Sequence, residues 1–279
     1  MLSHAESQEP GPVVIRTVDL TAGYGSRTVL EGVDLQVGRG DFVGVLGPNG
    51  SGKTTLVRVL SGVIPCRRGR AEVMGESVDA VKPRELARRM AVVAQDGEVR
   101  FPFSCLEVVR MGRYPHQRSW RVDHAADEAV VRAAMEATDT AALAERAITD
   151  VSGGERQRVM MARALAQSTP ILLLDEATSS MDVHRKLQIF SLLERRNRRA
   201  GLTIVAVLHD INLAAWFCRR LIFLKDGKVA CQGVTDDVLT PETLAYVYRT
   251  DAVIQEIPGT GRAQVAFLPP EYGAGGRGV

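Results

Sequence analysis

GPNGSGKTT, residues 47–55, follows the apolar run FVGVL and precedes the helical run LVRVLSG. The pattern G-x-x-x-x-G-K-[ST], set between a strand and a helix, decides more about this chain than any other stretch. Gly47, Gly50 and Gly52 let the loop turn tightly. Together with Pro48, Asn49 and Ser51 they form a backbone cradle whose N–H groups point at phosphate oxygens, and the following helix presents its positive end. Lys53 can reach β- and γ-phosphates, and the Thr54 hydroxyl, next to Thr55, can ligand Mg²⁺. A glycine-rich turn that binds nothing needs neither the lysine nor the hydroxyl. The motif alone means a bound nucleoside triphosphate; kinases, GTPases and motor ATPases all share it.

Around the loop the patterning is that of an α/β protein. VVIRTVDL (13–20), TVLEGVDLQV (28–37) and DFVGVLG (41–47) have the β-branched content or alternation of strands, with AGYGS and VGRGD as turns. Further on, ILLLD (171–175) and TIVAVL (203–208) are short apolar runs that suit strands buried on both faces. Helical patterns flank them, in ERQRVMMARALAQ and VHRKLQIFSLLERRNRRA, as expected for a parallel sheet. Between about Gln95 and Ile148 the pattern changes to helices, in 106–112 and 125–145. LIFLKDGKVACQG reads as a hairpin turning at Asp226-Gly227, PETLAYVY (241–248) as a helix opened by proline, and VIQEI and AQVAFL as final strands.

Composition agrees with a sizeable core: 279 residues, 45% hydrophobic and 24% charged. Lys+Arg 35 against Asp+Glu 33 leaves a net charge of +2, which points neither to a strongly basic nucleic-acid binder nor to an acidic disordered chain. The four cysteines, Cys66, Cys105, Cys218 and Cys231, are scattered without a C-x-x-C pair, as expected of reduced thiols in the cytosol. No apolar run approaches the roughly 20 residues of a spanning helix, and the start MLSHAESQEP lacks the form of a signal peptide. Residues 1–12 and 269–279, rich in polar groups, glycine and proline, are expected to be flexible.

ILLLDEATSSMD adds the second half of a phosphate site, placing Asp175 and Glu176 at the carboxyl end of a buried strand. Adjacent acids there can be a solvated turn; beside residues 47–55 they suit hydrolysis, Asp175 holding Mg²⁺ and Glu176 orienting and deprotonating the attacking water. VSGGERQRVMMARAL, residues 151–165, narrows the class. Ser152, Gly153, Gly154 and Glu155 have capping-box spacing, and a capped helix start is also an anion site.

That stretch resembles the signature of the ATP-binding cassette (ABC) family, with Val151 for leucine and Glu155 for glutamine. The resemblance covers nearly the whole chain in the family's order, and it implies a role for each matching residue. It implies that Tyr24 stacks on adenine, and that Gln95 contacts Mg²⁺ and the attacking water and opens the loop that senses the membrane partner. By the same resemblance Asp182 belongs to the loop crossing between subunits, and His209 contacts the γ-phosphate. Ala177, where proline is usual, and Met181, where leucine is usual, remove no functional group. The implied fold is α/β, a P-loop NTPase core of ABC type with an N-terminal antiparallel β-subdomain and a helical subdomain insert. One ATPase domain spans 13–268, with 13–94 as its β-rich and P-loop part, 95–165 as helical insert and signature, and 166–268 as the second half of the core.

The resemblance also implies a head-to-tail homodimer enclosing two ATP molecules with Mg²⁺. It further implies that two transmembrane permease subunits dock on the insert, with an external substrate-binding protein reached only through them, at the cytoplasmic face of the inner membrane. Residues 101–120, FPFSCLEVVRMGRYPHQRSW, are similar to importers of iron–siderophore complexes, haem or cobalamin. A DNA-acting ABC ATPase would carry a long coiled-coil or zinc-bearing insert, so no nucleic acid is expected. A P-loop kinase would need neither SGGE nor the histidine. Arg195, Arg196, Arg198 and Arg199 are expected on a solvated helix face, and His116 and His124 in surface or packing roles.

Overall fold

The computed structural model describes residues 11–95, 101–117 and 124–272. Most of the two segments expected to be flexible, 1–10 and 273–279, lies outside the described residues, as does the His124 side chain. The chain begins with two long strands, β1 (Val13–Tyr24) and β2 (Arg27–Gly38), paired antiparallel. After β3 (Phe42–Leu46) and α1 (Lys53–Leu60), β4 (Arg68–Val73) pairs antiparallel with β1, and β5 (Glu76–Ser77) completes a four-stranded sheet ordered β2-β1-β4-β5. This is the antiparallel β part expected at the N-terminal side.

Helix α2 (Pro83–Arg89) leads directly into β6 (Met90–Val93). The helical region holds α3 (Cys105–Arg110), α4 (His124–Ala137) and α5 (Gly153–Ala166). The α/β half then alternates: β7 (Ile171–Asp175), α6 (Val183–Ala200), β8 (Thr203–Val207), α7 (Ile211–Phe217), β9 (Arg220–Lys225) and β10 (Lys228–Val234). Two short helices, α8 (Thr235–Val238) and α9 (Pro241–Tyr248), precede a separate antiparallel pair, β11 (Ala252–Ile257) and β12 (Arg262–Phe267).

The main sheet has the order β10-β9-β3-β8-β7-β6. Neighbours from β9 to β6 run parallel, and β10 is antiparallel because a two-residue turn connects it to β9. Asp226 and Gly227 both have positive φ, 49° and 79°, as the hairpin turn that matches strand twist demands. The continuous apolar runs now have a cause, since alternate side chains of one strand serve two cores. Phe42, Leu172, Leu174, Ile204 and Phe223 face the helical side, while Val43, Val45, Leu173, Val205 and Ile222 face α1 and the antiparallel sheet.

Besides β4, β5 and α2, for which the sequence patterns set no expectation, two features depart from the sequence reading. The helical pattern of 125–145 is interrupted: α4 stops at Ala137, and Asp139 takes a left-handed φ of 54°. The helix ends in a left-handed cap, in which the Asp139 N–H donates to the Glu136 carbonyl at 3.1 Å and the Thr140 N–H to the Met135 carbonyl at 2.9 Å. The buried Thr138 hydroxyl donates to the Ala134 carbonyl at 3.0 Å and the Thr140 hydroxyl to the Met135 carbonyl at 3.2 Å. Second, β6 escaped notice because four residues, MAVV, carry too little periodicity to distinguish a strand. Only pairing with β7 defines it.

Candidate functional site

Four adjacent strands, β3, β8, β7 and β6, deliver the candidate residues at their carboxyl ends. Residues 47–55 follow β3, His209 follows β8, Asp175 closes β7 with Glu176 next, and Gln95 lies two residues beyond β6. A parallel sheet places ligands there because its loops and helix N-termini converge at that edge. Gln95, 81 positions from Glu176, thereby becomes its hydrogen-bond partner.

The loop is held open by glycines for two different reasons. At Gly47, φ is 150° and a Cβ would lie 2.1 Å from the Leu224 carbonyl oxygen of β9, so no side chain fits. At Gly50 space is open, and only the φ of 78° favours glycine. Gly52, φ 103°, caps α1 without a side-chain hydrogen bond, so the first-turn N–H donors remain available to an anion. Ser51 is buried, and its Oγ has no hydrogen-bond partner among the described residues. An orphaned hydroxyl inside an N–H-lined loop fits a phosphate oxygen.

Lys53 is buried and curls over the loop, its Nζ donating to the Gly47 carbonyl at 2.8 Å and the Pro48 carbonyl at 3.0 Å. Burial lowers its pKa below the ordinary lysine value, partly offset by the negative charges of Glu176 and Asp175. Asp175, also buried, has its pKa raised, chiefly by burial and further by Glu176, against the Thr54 hydrogen bond and the positive charges of Arg58 and Lys53. Thr54 Oγ1 donates to Asp175 Oδ1 at 3.2 Å. A hydroxyl and a carboxylate this close are a hard oxygen pair of the kind Mg²⁺ takes when phosphates supply further ligands. Among the described residues no group of three or more His, Cys, Asp or Glu forms a self-sufficient metal cage.

These shifts carry a sign. With its folded pKa raised, Asp175 costs stability as pH rises from the ordinary carboxylate range through the raised value. Lys53, with its folded pKa lowered, costs stability as pH falls from the ordinary lysine value through the depressed one. Asp175→Asn, which keeps an acceptor for Thr54, is expected to raise the thermal midpoint of the ligand-free chain at neutral pH by about 2 °C or more. Thermal unfolding followed by circular dichroism checks this; an unchanged or lower midpoint would show that the carboxylate is not under that burden.

Glu176 sits between two partners. Gln95 Nε2 donates to its Oε2 at 2.6 Å, and His209 Nε2 lies against its Oε1. The Glu176 side chain is 11% exposed and that of His209 46%, so the acid is recessed and the imidazole lies on the open side. A left-handed φ of 51° at Glu176 turns the chain sharply out of β7. Strain of this kind at a non-glycine residue concentrates at functional positions.

The signature residues lie elsewhere. Ser152 Oγ accepts from the Glu155 N–H at 3.3 Å, and Glu155 Oε2 accepts from the Ser152 N–H at 2.8 Å, a complete capping box that also lowers the Glu155 pKa. Helix α5 packs on α3, α4 and β6, whereas α1 packs on β1, β2, β4 and β7. Among the described residues no hydrogen bond joins Ser152, Gly153, Gly154 or Glu155 to residues 47–55. Asp182 caps α6, its Oδ1 accepting from the Arg185 N–H at 2.9 Å, which holds its carboxyl below the usual range. Tyr24 is 42% exposed, with its hydroxyl accepting from Arg58 Nη1 at 2.9 Å.

Of the four departures from the family pattern, Val151, Ala177 and Met181 are buried apolar side chains, and Glu155 closes the capping box on Ser152. His116 has a packing role, its Nε2 lying 2.7 Å from the Gln167 carbonyl oxygen. The arginines 195, 196, 198 and 199 are exposed on α6, Arg198 pairing with Glu194. All four cysteines are free thiols. The sequence reading missed Gln157, whose amide donates to Ser179 Oγ at 3.1 Å and accepts from the Ser180 N–H at 3.0 Å. It lies inside the signature stretch, but nothing in the sequence signals where its side chain reaches.

Fold and loop together define a P-loop nucleotide-binding protein. A family model described as ABC transporter matches residues 30–179, and this chain belongs to that family. It is 40% identical over 246 residues, 88% of its length, to the cobalamin import ATP-binding protein BtuD of Halobacterium salinarum. With the ferric enterobactin transport ATP-binding protein FepC of Escherichia coli it shares 37% identity over 91% of this chain and 94% of that protein. With the hemin import ATP-binding protein HmuV of Streptomyces coelicolor the identity is 40%, over 90% of this chain and 89% of that protein. The chain spans 57% to 61% of the length of the first curated relatives it matches. Among solved structures, it is similar to a dimeric bacterial ABC transporter cassette, MJ0796, with TM-score 0.73 and 28% identity, covering 79% of this chain and 98% of that one.

Proposed function

We propose that this chain binds and hydrolyses ATP as the energy-supplying subunit of an importer for an iron chelate, siderophore or haem, or for cobalamin. The observation that carries the hydrolytic part is the recessed Glu176 carboxylate, flanked by Gln95 and His209 and adjacent to the Thr54–Asp175 pair and Lys53. Backbone N–H groups of residues 47–55, Ser51 and Lys53 hold the phosphates. Thr54, Asp175 and Gln95 hold Mg²⁺, which supplies neutralisation of phosphate charge. Glu176 accepts the proton of the attacking water, while Gln95 and His209 fix its orientation, and His209 is placed on the open side toward the γ-phosphate. Tyr24, exposed at the end of β1, offers a ring for the adenine.

One chain supplies one loop and one signature on separate elements, so a head-to-tail homodimer completes two sites, Ser152, Gly153, Gly154 and Glu155 of each copy covering the phosphates held by the other. Asp182 lies in the loop that crosses between them. Two variants separate this from hydrolysis within one chain. Gly153→Asp puts a negative charge where phosphate belongs without steric conflict, the nearest atom to a new Cβ being 3.6 Å away. Lys53→Ala disables the loop. Mixed dimers with the two defects on different chains are expected to retain about half of wild-type activity, since one composite site stays intact. Placing both on one chain, paired with wild type, should leave only background. The reverse ranking would exclude composite sites.

No helix among the described residues is long and apolar enough to cross a membrane. The bilayer is therefore left to permease subunits, two in the complex we propose. Phe101 and Tyr114, each 70% exposed, give the helical insert an apolar surface for them. An external binding protein would deliver cargo to the far side, with this chain at the cytoplasmic face of the inner membrane. Support for the cargo class comes from the names of the relatives. Reconstitution with the permease, followed by phosphate release in the presence of binding proteins loaded with siderophore, haem or cobalamin, tests it. Stimulation by none of the three would refute the class.

A further inference from the structure

We infer that Asp139 is a positioning residue that clamps the signature helix to the loop preceding α6. Its Oδ2 accepts from Arg158 Nη1 on α5 at 3.1 Å and from Arg185 Nη1 on α6 at 2.6 Å, and its carbonyl accepts from Arg158 at 3.0 Å. One carboxylate oxygen thus joins three segments, the end of α4, the second turn of α5 and the first turn of α6. The Arg185 N–H is itself capped by Asp182, so Asp139 lies one side chain away from the loop carrying Asp182. Gln157 makes the parallel link from α5 to Ser179 and Ser180.

The turn does not explain an aspartate here. A φ of 54° is one that glycine adopts without strain, and Asp tolerates it only better than most other residues. Nor does stability explain it: the Asp139 side chain is 69% exposed, and ion pairs with such exposure contribute little to folding. What the carboxylate does is separate two guanidinium groups, Arg158 11% exposed and Arg185 34%. Without it, the guanidinium groups of Arg158 on α5 and Arg185 on α6 are left with like charges and no carboxylate between them, and attraction between the helix starts becomes repulsion. The loop 177–182 would then move relative to Ser152. This inference rests on the proposed hydrolysis at a composite site, where both segments must reach the same partner nucleotide.

The test uses Asp139→Gly, which relaxes the backbone and removes only the carboxylate. Its thermal midpoint is expected to equal or exceed that of the wild type, its kcat for ATP to fall about fivefold or more, and its KM to change less than twofold. Hydrogen exchange, read by mass spectrometry without nucleotide, should quicken across residues 177–186. Adding Arg185→Ala to Asp139→Gly removes the repulsion and should recover turnover at least twofold over Asp139→Gly alone, a rescue that a purely structural role would not produce. Unchanged exchange, a kcat within twofold of wild type, or no rescue would overturn the inference. A wild-type chain that hydrolyses no ATP would instead overturn the hydrolytic reading of the site, an outcome distinguished by the exchange measurement, which requires no turnover.

Discussion

Glu176→Gln is expected to reduce ATP turnover by a factor of about 10²–10⁴ while leaving Mg-ATP binding near wild type. The substitution is isosteric and preserves an oxygen that can accept from Gln95 Nε2, a contact of 2.6 Å in the native chain. It removes the carboxylate proposed to take a proton from water. The carboxylate is recessed and in contact with His209, so no other acid takes its place; Asp175 points instead to Thr54 at 3.2 Å. With binding kept and chemistry blocked, the variant should accumulate as an ATP-bound dimer, visible as a shift in size-exclusion chromatography. Single-turnover phosphate release measures the loss. Turnover within about threefold of wild type would remove Glu176 from the role of base and leave His209 as the group to test next.

The second large effect concerns the backbone. Gly47→Ala is expected to destabilise the chain by on the order of 3 kcal/mol and to abolish nucleotide binding. A Cβ there meets the Leu224 carbonyl oxygen at 2.1 Å and Ser51 Oγ at 2.8 Å, and the residue has φ 150°. The first obstacle is main chain of a neighbouring strand, so relief requires β9 to shift or the loop to rebuild. Gly50→Ala provides the contrast: φ is 78° but nothing lies within 4 Å, so the cost is confined to left-handed strain of about 1–2 kcal/mol. Denaturant unfolding compares the two. Equal destabilisation would mean that the approach of Leu224 is not what fixes Gly47.

Much of the molecule was legible in the sequence because its signals are local. Residues 47–55 announce a phosphate loop through glycine spacing and a lysine, and the capping box at Ser152 and Glu155 is visible as a three-residue interval. The runs ILLLD and TIVAVL declared buried strands, and Asp226-Gly227 declared its hairpin. Where local signals compete, the sequence misled: the pattern of 125–145 continues past the point at which Asp139 takes a left-handed φ and caps α4. β6 was illegible because four residues hold too few periods.

Contacts between residues distant in the chain were not legible from spacing. Gln95, the adjacent pair Asp175 and Glu176, and His209 are far apart along the chain, and only the order β3-β8-β7-β6 brings their strand ends side by side. Nothing in the sequence relates Asp139 to Arg158 and Arg185, because side-chain reach between helices depends on how they cross. Contiguous residues were enough to define the kinds of elements, the chemistry of the phosphate loop and the family resemblance. Packing in three dimensions settled which side chains share a carboxylate, why Gly47 tolerates no substituent and that the signature packs apart from α1 within one chain. Those are properties of distance, set by sheet order and helix packing.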